Sequence, residues 1–402
     1  MKLWQSAGTR RGVTMPRSLA AMTALALACL AAPAFAQHAY ITNEGSDNVS
    51  VIDTATNTVI ATIPVGSHPQ GVAVTPDGSR VYVANEGGLE GVGTVSVVST
   101  ATNTVTGIPI PVGSLPIGVA VTPDGSRVYV ANQGAVEGIG TVSVISTATN
   151  TVTGIPIPVG SYPFGLAVTP DGSKVYVTNA VYAAGTVSVI STATNTVKGI
   201  PIPVGRAPVG VAVTPDGSKV YVANTNDGTV SVISTATDTV IGPPIPVGSL
   251  PWGVAVTPDG SRVYVVNLID GTVSVISTTT DTVIGPAIPV GSAPEGVAVT
   301  PDGSRVYVAS LGVGTVSVIS TATNTVIGPP IPVGFEPVAF GVFIQPAQPA
   351  MTFAGTPGKA NCYGKSVSAL VRQYKGLNAA AAALGFPSVQ ALQNAILAFC
   401  GG

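Results

Sequence analysis

One decapeptide pattern, Val-Thr-Pro-Asp-Gly-Ser-Arg/Lys-Val-Tyr-Val, is written six times in this chain, starting at Val74, Val121, Val168, Val213, Val256 and Val299. A seventh, shortened copy, "AYITN", stands at 39–43. Repetition on this scale constrains the fold before any local signal does, because each unit must bury its apolar faces against its neighbours. The repeated tyrosines, Tyr40, Tyr82, Tyr129, Tyr176, Tyr221, Tyr264 and Tyr307, lie 42, 47, 47, 45, 43 and 43 residues apart. Within a unit, four alternating runs are separated by turn residues. In the unit opening at Gly71 they are "GVAVTP", "RVYVAN", "TVSVVS" and "TVTGIPIPV". Four short strands in about 40–45 residues are the pattern of one propeller blade.

The two ends of the repeat complete each other. "AYITN" opens the array in second-strand position with no first strand before it. "EPVAFGVFIQP" at 336–346 reads as a first strand with no second strand after it. Pairing them closes a ring of seven four-stranded blades, three strands of one blade coming from the N-terminal side and one from the C-terminal side. Such closure leaves no free sheet edge at the seam. The expected fold is all-β, a seven-bladed propeller over 37–346. With its "YITN", "YVTN" and "YVAN" strands, "TVSVISTATNTV" and "VAVTPDGS", the chain resembles the YVTN-type repeat family of WD40-like seven-bladed propellers. That resemblance implies the fold over about 39–346. It is broad in function: members include cell-surface and periplasmic proteins, and related propellers include lactonases.

Beyond the array, composition marks three further segments. Residues 1–36 read as an export signal: Lys2, Arg10, Arg11 and Arg17 precede the apolar run "LAAMTALALACLAA", and "AFA" at 34–36 offers a cleavage site before Gln37. Met15 is an alternative start, Cys29 a weak lipobox candidate, and "TRRGV" a weak twin-arginine signal. Residues 347–358 form a Pro/Ala-rich linker. Residues 359–402 carry helical patterning, with Val389, Leu392, Ile396 and Phe399 on one face. Cys362 and Cys400, the two cysteines left after removal of the signal, are expected to form a disulfide bracketing this small module. An oxidising location, periplasmic or extracellular, follows from the signal and the disulfide together.

Function is sought where the copies differ. The turns "PDGS" and "STATN" hardly vary and are assigned to one face, the lower. In "PDGS", proline presets φ, aspartate bonds back to the chain and glycine accepts positive φ. The tyrosine is expected to pack between blades with its hydroxyl on backbone, and the recurring asparagine of "VYVAN" to cap a turn. The second-to-third loops and the connections between blades vary and are assigned to the upper face. The ligand-binding candidates are there: His68, Tyr162, Phe164, Arg206, Trp252, Glu295 and Glu336. Tyr162, Phe164 and Trp252 would make a stacking platform for sugar or peptide.

Of 18 acids, nine fall in upper loops (Glu44, Asp47, Glu86, Glu90, Glu137, Asp227, Asp270, Glu295 and Glu336), against one base, Arg206. An acidic upper face disfavours phosphate backbones, and so nucleic acid as a partner. It suits a cationic ligand, a basic partner or Ca²⁺, the expected partner being a protein, a glycan or another cell-envelope ligand. No Ser-His-Asp set or HExxH spacing is legible, and no catalytic residue is assigned. The expectation is a monomeric, exported binding or display propeller without a cofactor, Ca²⁺ being the ion such a rim would take. The alternatives are a lactonase-like hydrolase with a divalent cation held by Glu295, Glu336, Asn224 or Asn267, and a periplasmic nucleic-acid-binding propeller.

Overall fold

The computed structural model describes residues 37–87, 93–134, 140–346, 362–374, 376, 377, 380 and 389–400. Seven sheets form the seven blades. Blade 1 contains His38–Asn43, Asn48–Asp53 and Thr58–Pro64. Its innermost strand is supplied by residues 337–346. Gln345 N donates to His38 O (2.8 Å), Tyr40 N to Phe343 O (2.9 Å), Val338 N to Thr42 O (2.9 Å) and Glu44 N to Glu336 O (2.8 Å). Ala39 stands opposite Ile344 in antiparallel register. The seam is therefore three strands plus one, as the repeat ends require.

In blades 2–7 the order runs outward from an inner strand. Blade 2 has Pro69–Val74, Arg80–Asn85 and Thr94–Ser99, with Tyr82 opposite Ala73 on one side and Val97 on the other. The outer run departs from the single strand expected. It pairs as two fragments, Thr104–Val105 and Ile110–Pro111, both on Thr94–Ser99. The reason is local: Gly107 turns with φ +73°, and Pro109 has no N–H to continue the ladder. Blade 1 lacks this Gly-x-Pro and keeps Thr58–Pro64 continuous apart from a bulge.

The core lies between blades. Tyr82 and Ala84 of blade 2 share one apolar cluster with Val128 and Val130 of blade 3, and equivalent clusters follow round the ring. The hydroxyls of the seven tyrosines, however, bond not to backbone alone but to a side chain of the next blade. Tyr40 donates to Asn103 (3.2 Å), Tyr82 to Asn150 (2.8 Å), Tyr129 to Asn195 (2.7 Å), Tyr176 to Asp238 (2.6 Å), Tyr221 to Asp281 (2.5 Å), Tyr264 to Asn324 (2.7 Å) and Tyr307 to Asn57 (2.5 Å). All seven acceptors have φ of +51° to +56°, the left-handed turn that asparagine and aspartate tolerate best.

The base after each "PDGS" crosses the same boundary. Arg80 donates to Thr147 O, Arg127 to Thr192 O, Arg262 to Thr321 O and Arg305 to Thr54 O. Lys174 and Lys219 reach Thr235 O and Thr278 O, and each also pairs at 2.8 Å with the tyrosine's acceptor, Asp238 or Asp281. Arginine thus goes with asparagine across the boundary and lysine with aspartate. These bases are clamps between blades, not simple counterions for the adjacent "PDG" aspartate. The repeated asparagine also differs from a turn cap: Asn85 Nδ2 donates to Ser96 and Thr94 of the third strand, joining two strands at their upper end.

In the C-terminal part, helices α1 (Cys362–Tyr374) and α2 (Val389–Cys400) pack through Leu370, Leu392 and Ile396 around a Cys362–Cys400 disulfide. The export signal, the linker and the Phe399 side chain lie outside the described residues. Among the described residues, no helix is long and apolar enough to cross a membrane.

Tyr129→Phe should cost about 1 kcal/mol, a neutral hydrogen bond, whereas Tyr176→Phe should cost about 2 kcal/mol because its acceptor is charged. Urea unfolding of the two variants measures the difference. Reduction of Cys362–Cys400, which closes a 38-residue separation, should remove about 3–4 kcal/mol from the helical module. Calorimetry should then show the propeller transition unmoved.

Candidate functional site

Six of the seven inner strands start with Pro-x-Gly and the closing strand of blade 1 with Pro337-Val338-Ala339, and the seven x positions surround the upper end of the central channel. They are Gln70, Ile117, Phe164, Val209, Trp252, Glu295 and Val338. The glycine is required by proximity. A Cβ on Gly71 would stand 2.1 Å from Ile117 O of the next inner strand, and one on Gly210 would stand 2.0 Å from Trp252 O. Inner strands therefore approach backbone to backbone, leaving x to face inward. Phe164, Trp252 and Glu295, expected in connecting loops, belong to these strands.

The aromatic trio divides. Phe164 meets Trp252 edge-on with centroids 5.4 Å apart, and meets Phe340 edge-on at 5.2 Å. Phe340 is nearly enclosed and clusters with Val209 and Val338. Together these side chains plug the channel, with Phe164 and Trp252 each half-buried and set edge-on rather than in one parallel platform. Tyr162 stands apart, 48% exposed on the upper rim with φ +52°. Phe340 was not singled out from the sequence, although a signal was present. "PVAFGVFIQP" carries two more residues than "PQGVAVTP", and the excess forms the bulge that puts Phe340 on the axis. The same bulge lets Phe340 O and Val342 O accept from Val72 N and Val74 N of blade 2.

The residue before each proline has left-handed φ in all seven connections: His68, Leu115, Tyr162, Ala207, Leu250, Ala293 and Glu336 range from +47° to +53°. Upper-loop acids hold three of these connections. Asp47 accepts from His68 N (2.8 Å), Asp227 from Arg206 N (2.7 Å) and Asp270 from Ser249 N (2.7 Å). Arg206 is committed to the same fixture: its Nε bonds Asp227 at 2.5 Å and its Nη2 bonds Asn226 O. So three of the nine upper acids, and the base opposing them, are framework. Glu90 and Glu137 lie outside the described residues.

The remaining acids gather at one sector, blades 7, 1 and 2. Burial, with the nearby carboxylates of Glu44 and Glu336, pushes Glu295 up to about 7. Burial and Glu44 also raise Glu86, partly offset by His68. Exposed His68 sits at the edge of this sector, its carbonyl accepting from Glu86 N at 3.1 Å. The cation ligand set imagined for a hydrolase does not converge. Asn224 donates to Ser231 and accepts from Gly205 N, and Asn267 donates to Ser274 and accepts from Gly248 N. Their side chains are spent on the framework. Among the described residues, no three of His, Cys, Asp and Glu are grouped to hold a metal ion.

A Choice-of-anchor I domain model matches residues 29–108. A PE-PGRS family protein of Mycobacterium tuberculosis is 60% identical over 37 residues, 9% of this chain and 8% of that protein's length. Among solved structures, hydrazine synthase of Kuenenia stuttgartiensis is similar with a TM-score of 0.63 and 25% identity, over 70% of this chain and 92% of that one. A protein of Bacteroides uniformis, provisionally assigned as a 6-phosphogluconolactonase, superposes with a TM-score of 0.65 and 16% identity, over 75% and 98%. A functionally unknown protein of Desulfotomaculum acetoxidans gives 0.63 and 17%, over 76% and 99%. These likenesses agree with the architecture: the chain is a seven-bladed β-propeller.

Glu295 takes up its proton in the folded state more readily than in the unfolded chain, so it subtracts stability as pH rises from about 4.5 through about 7. Glu295→Gln removes that loss. It should raise stability at pH 8 by the order of 2–3 kcal/mol and change little at pH 4, read from urea unfolding at the two pH values.

Proposed function

We propose that this chain is an exported, cell-envelope-displayed propeller of YVTN type that binds its partner through the acidic sector of the upper rim, without catalysis. The Choice-of-anchor I match over residues 29–108 carries this reading. The basic, apolar and small-residue order of residues 1–36 supports export, and the disulfide supports an oxidising location. Among the described residues, Glu44, Glu86, Glu295 and Glu336 are the upper acids that remain when the framework acids are set aside, Glu295 being the most deeply buried. They suit a basic protein segment or another cationic group of the envelope, and they repel nucleic acid.

A hydrolase is the second reading, favoured by one observation: Glu295 titrates about where a general acid or base works best. Simple lactones, assayed with and without chelator, separate the two.

Protease and antibody accessibility of the full chain on intact producing cells tests display, with a variant lacking residues 1–36 as control. Surface exposure that depends on 1–36 is expected; a chain retained inside in both cases defeats the proposal. Purified protein should also bind envelope fragments in a salt-sensitive way. The triple change of Glu44, Glu86 and Glu336 to Gln should weaken that binding about ten-fold while Tm is kept.

A further inference from the structure

Below the plug the central channel widens into a cavity of about 450 Å³. Its wall is the lower half of the inner strands, the "VAV" of each repeat; the side chains are aliphatic almost throughout, with Val121, Val168, Val213 and Val256 partly exposed to it, and the strand backbone supplies most of its polar surface. Phe340 closes the upper end, and the prolines of the "PDG" turns, among them exposed Pro76 and Pro123, frame the lower opening. Thr75 is the one residue with a polar side chain in the wall, and its hydroxyl is engaged by Asp77. The cavity has room for about 15 waters at ~30 Å³ each, and a buried water needs two to four polar partners. Side chains here offer almost none. An enclosed apolar cavity of about 150 Å³ takes up benzene, and the aliphatic side chains here offer a hydrocarbon the same kind of contact.

We propose that the lower channel is a binding site for one neutral, linear hydrocarbon chain, inserted tail first from the "PDG" face until it meets Phe340. The wall chemistry selects an apolar tail, and the single closed tube selects an unbranched one. The rim selects against an anionic head. Each proline framing the opening is followed directly by a "PDG" aspartate, and Asp124, Asp171, Asp216 and Asp259 are held below the usual carboxylate range by hydrogen bonds from the threonine before and the serine after; Asp171 lies at about 2. The neighbouring bases point across to the next blade's outer turn and do not line the cavity. The site is separate from the upper rim and does not depend on the function proposed there.

Isothermal titration of the full chain with octan-1-ol, decan-1-ol and dodecan-1-ol tests the assignment. One site per chain is expected, with the dissociation constant tightening about four-fold per added methylene. Dodecanoate should bind at least several-fold more weakly than dodecan-1-ol. Filling the tube with Ala120→Phe and Ala255→Phe should abolish binding while circular dichroism stays native. In otherwise unaltered protein carrying ¹³C-methyl valine, the methyls of Val121, Val213 and Val256 should show contacts to the ligand, a readout that survives if the filled variant fails to fold. No saturable heat with any alcohol overturns the proposal. So does equal affinity for dodecanoate, or ligand contacts confined to valines outside the channel.

Discussion

Everything in this molecule rests on the seam between His38–Asn43 and residues 337–346. A blade of this composition is apolar on both faces, so it is stable only with a neighbour on each side. In an open array the first and last blades would leave one such face in water. Closing the ring through four backbone hydrogen bonds removes both exposed faces and a sheet edge in one step. The tyrosine–Asn/Asp bonds then repeat round the whole circle, Tyr307 returning to Asn57, and six Arg/Lys clamps accompany them, Arg305 returning to Thr54 of blade 1 while blade 1 itself carries His38 at the clamp position.

Closure also shapes the two channel regions. The closing strand has to complete blade 1 and pair in parallel with the inner strand of blade 2, and its two extra residues make both possible. Their by-product is Phe340 on the axis. That ring, with Phe164 and Trp252, divides the channel into an acidic upper mouth and an aliphatic lower tube. Burial lifts Glu295, and the closing segment adds to it through the carboxylate of Glu336, beside that of Glu44.

The interface chemistry shows how a repeat varies without losing its function. Where the turn residue is aspartate, at Asp238 and Asp281, the facing base is lysine; where it is Asn57, Asn150, Asn195 or Asn324, the base is arginine, and only Asn103 faces no such base. Burial alone would raise Asp238, but Lys174 and Tyr176 bond it and hold it below the ordinary range. Tyr176 and Tyr221 are correspondingly pushed upward by burial and their carboxylate partners. A lysine point charge matches a carboxylate, while arginine spans to a carbonyl beside a neutral amide.

Blade number, strand order, ring closure and the disulfide were all legible from the chain itself. They follow from periodicity, turn chemistry and residue counting, which are local or one-dimensional properties. The sequence could not show that Arg206 was committed to Asp227, that Asn224 and Asn267 were spent on strand bonds, or that Phe164 and Trp252 packed into a plug. It also could not pair Lys174 with Asp238, 64 residues away. These are contacts between blades or across the axis, and the repeat places equivalent residues in seven candidate partnerships at once. Only the circular arrangement, which sets each blade against one particular neighbour and brings every inner strand to a common centre, chooses among them.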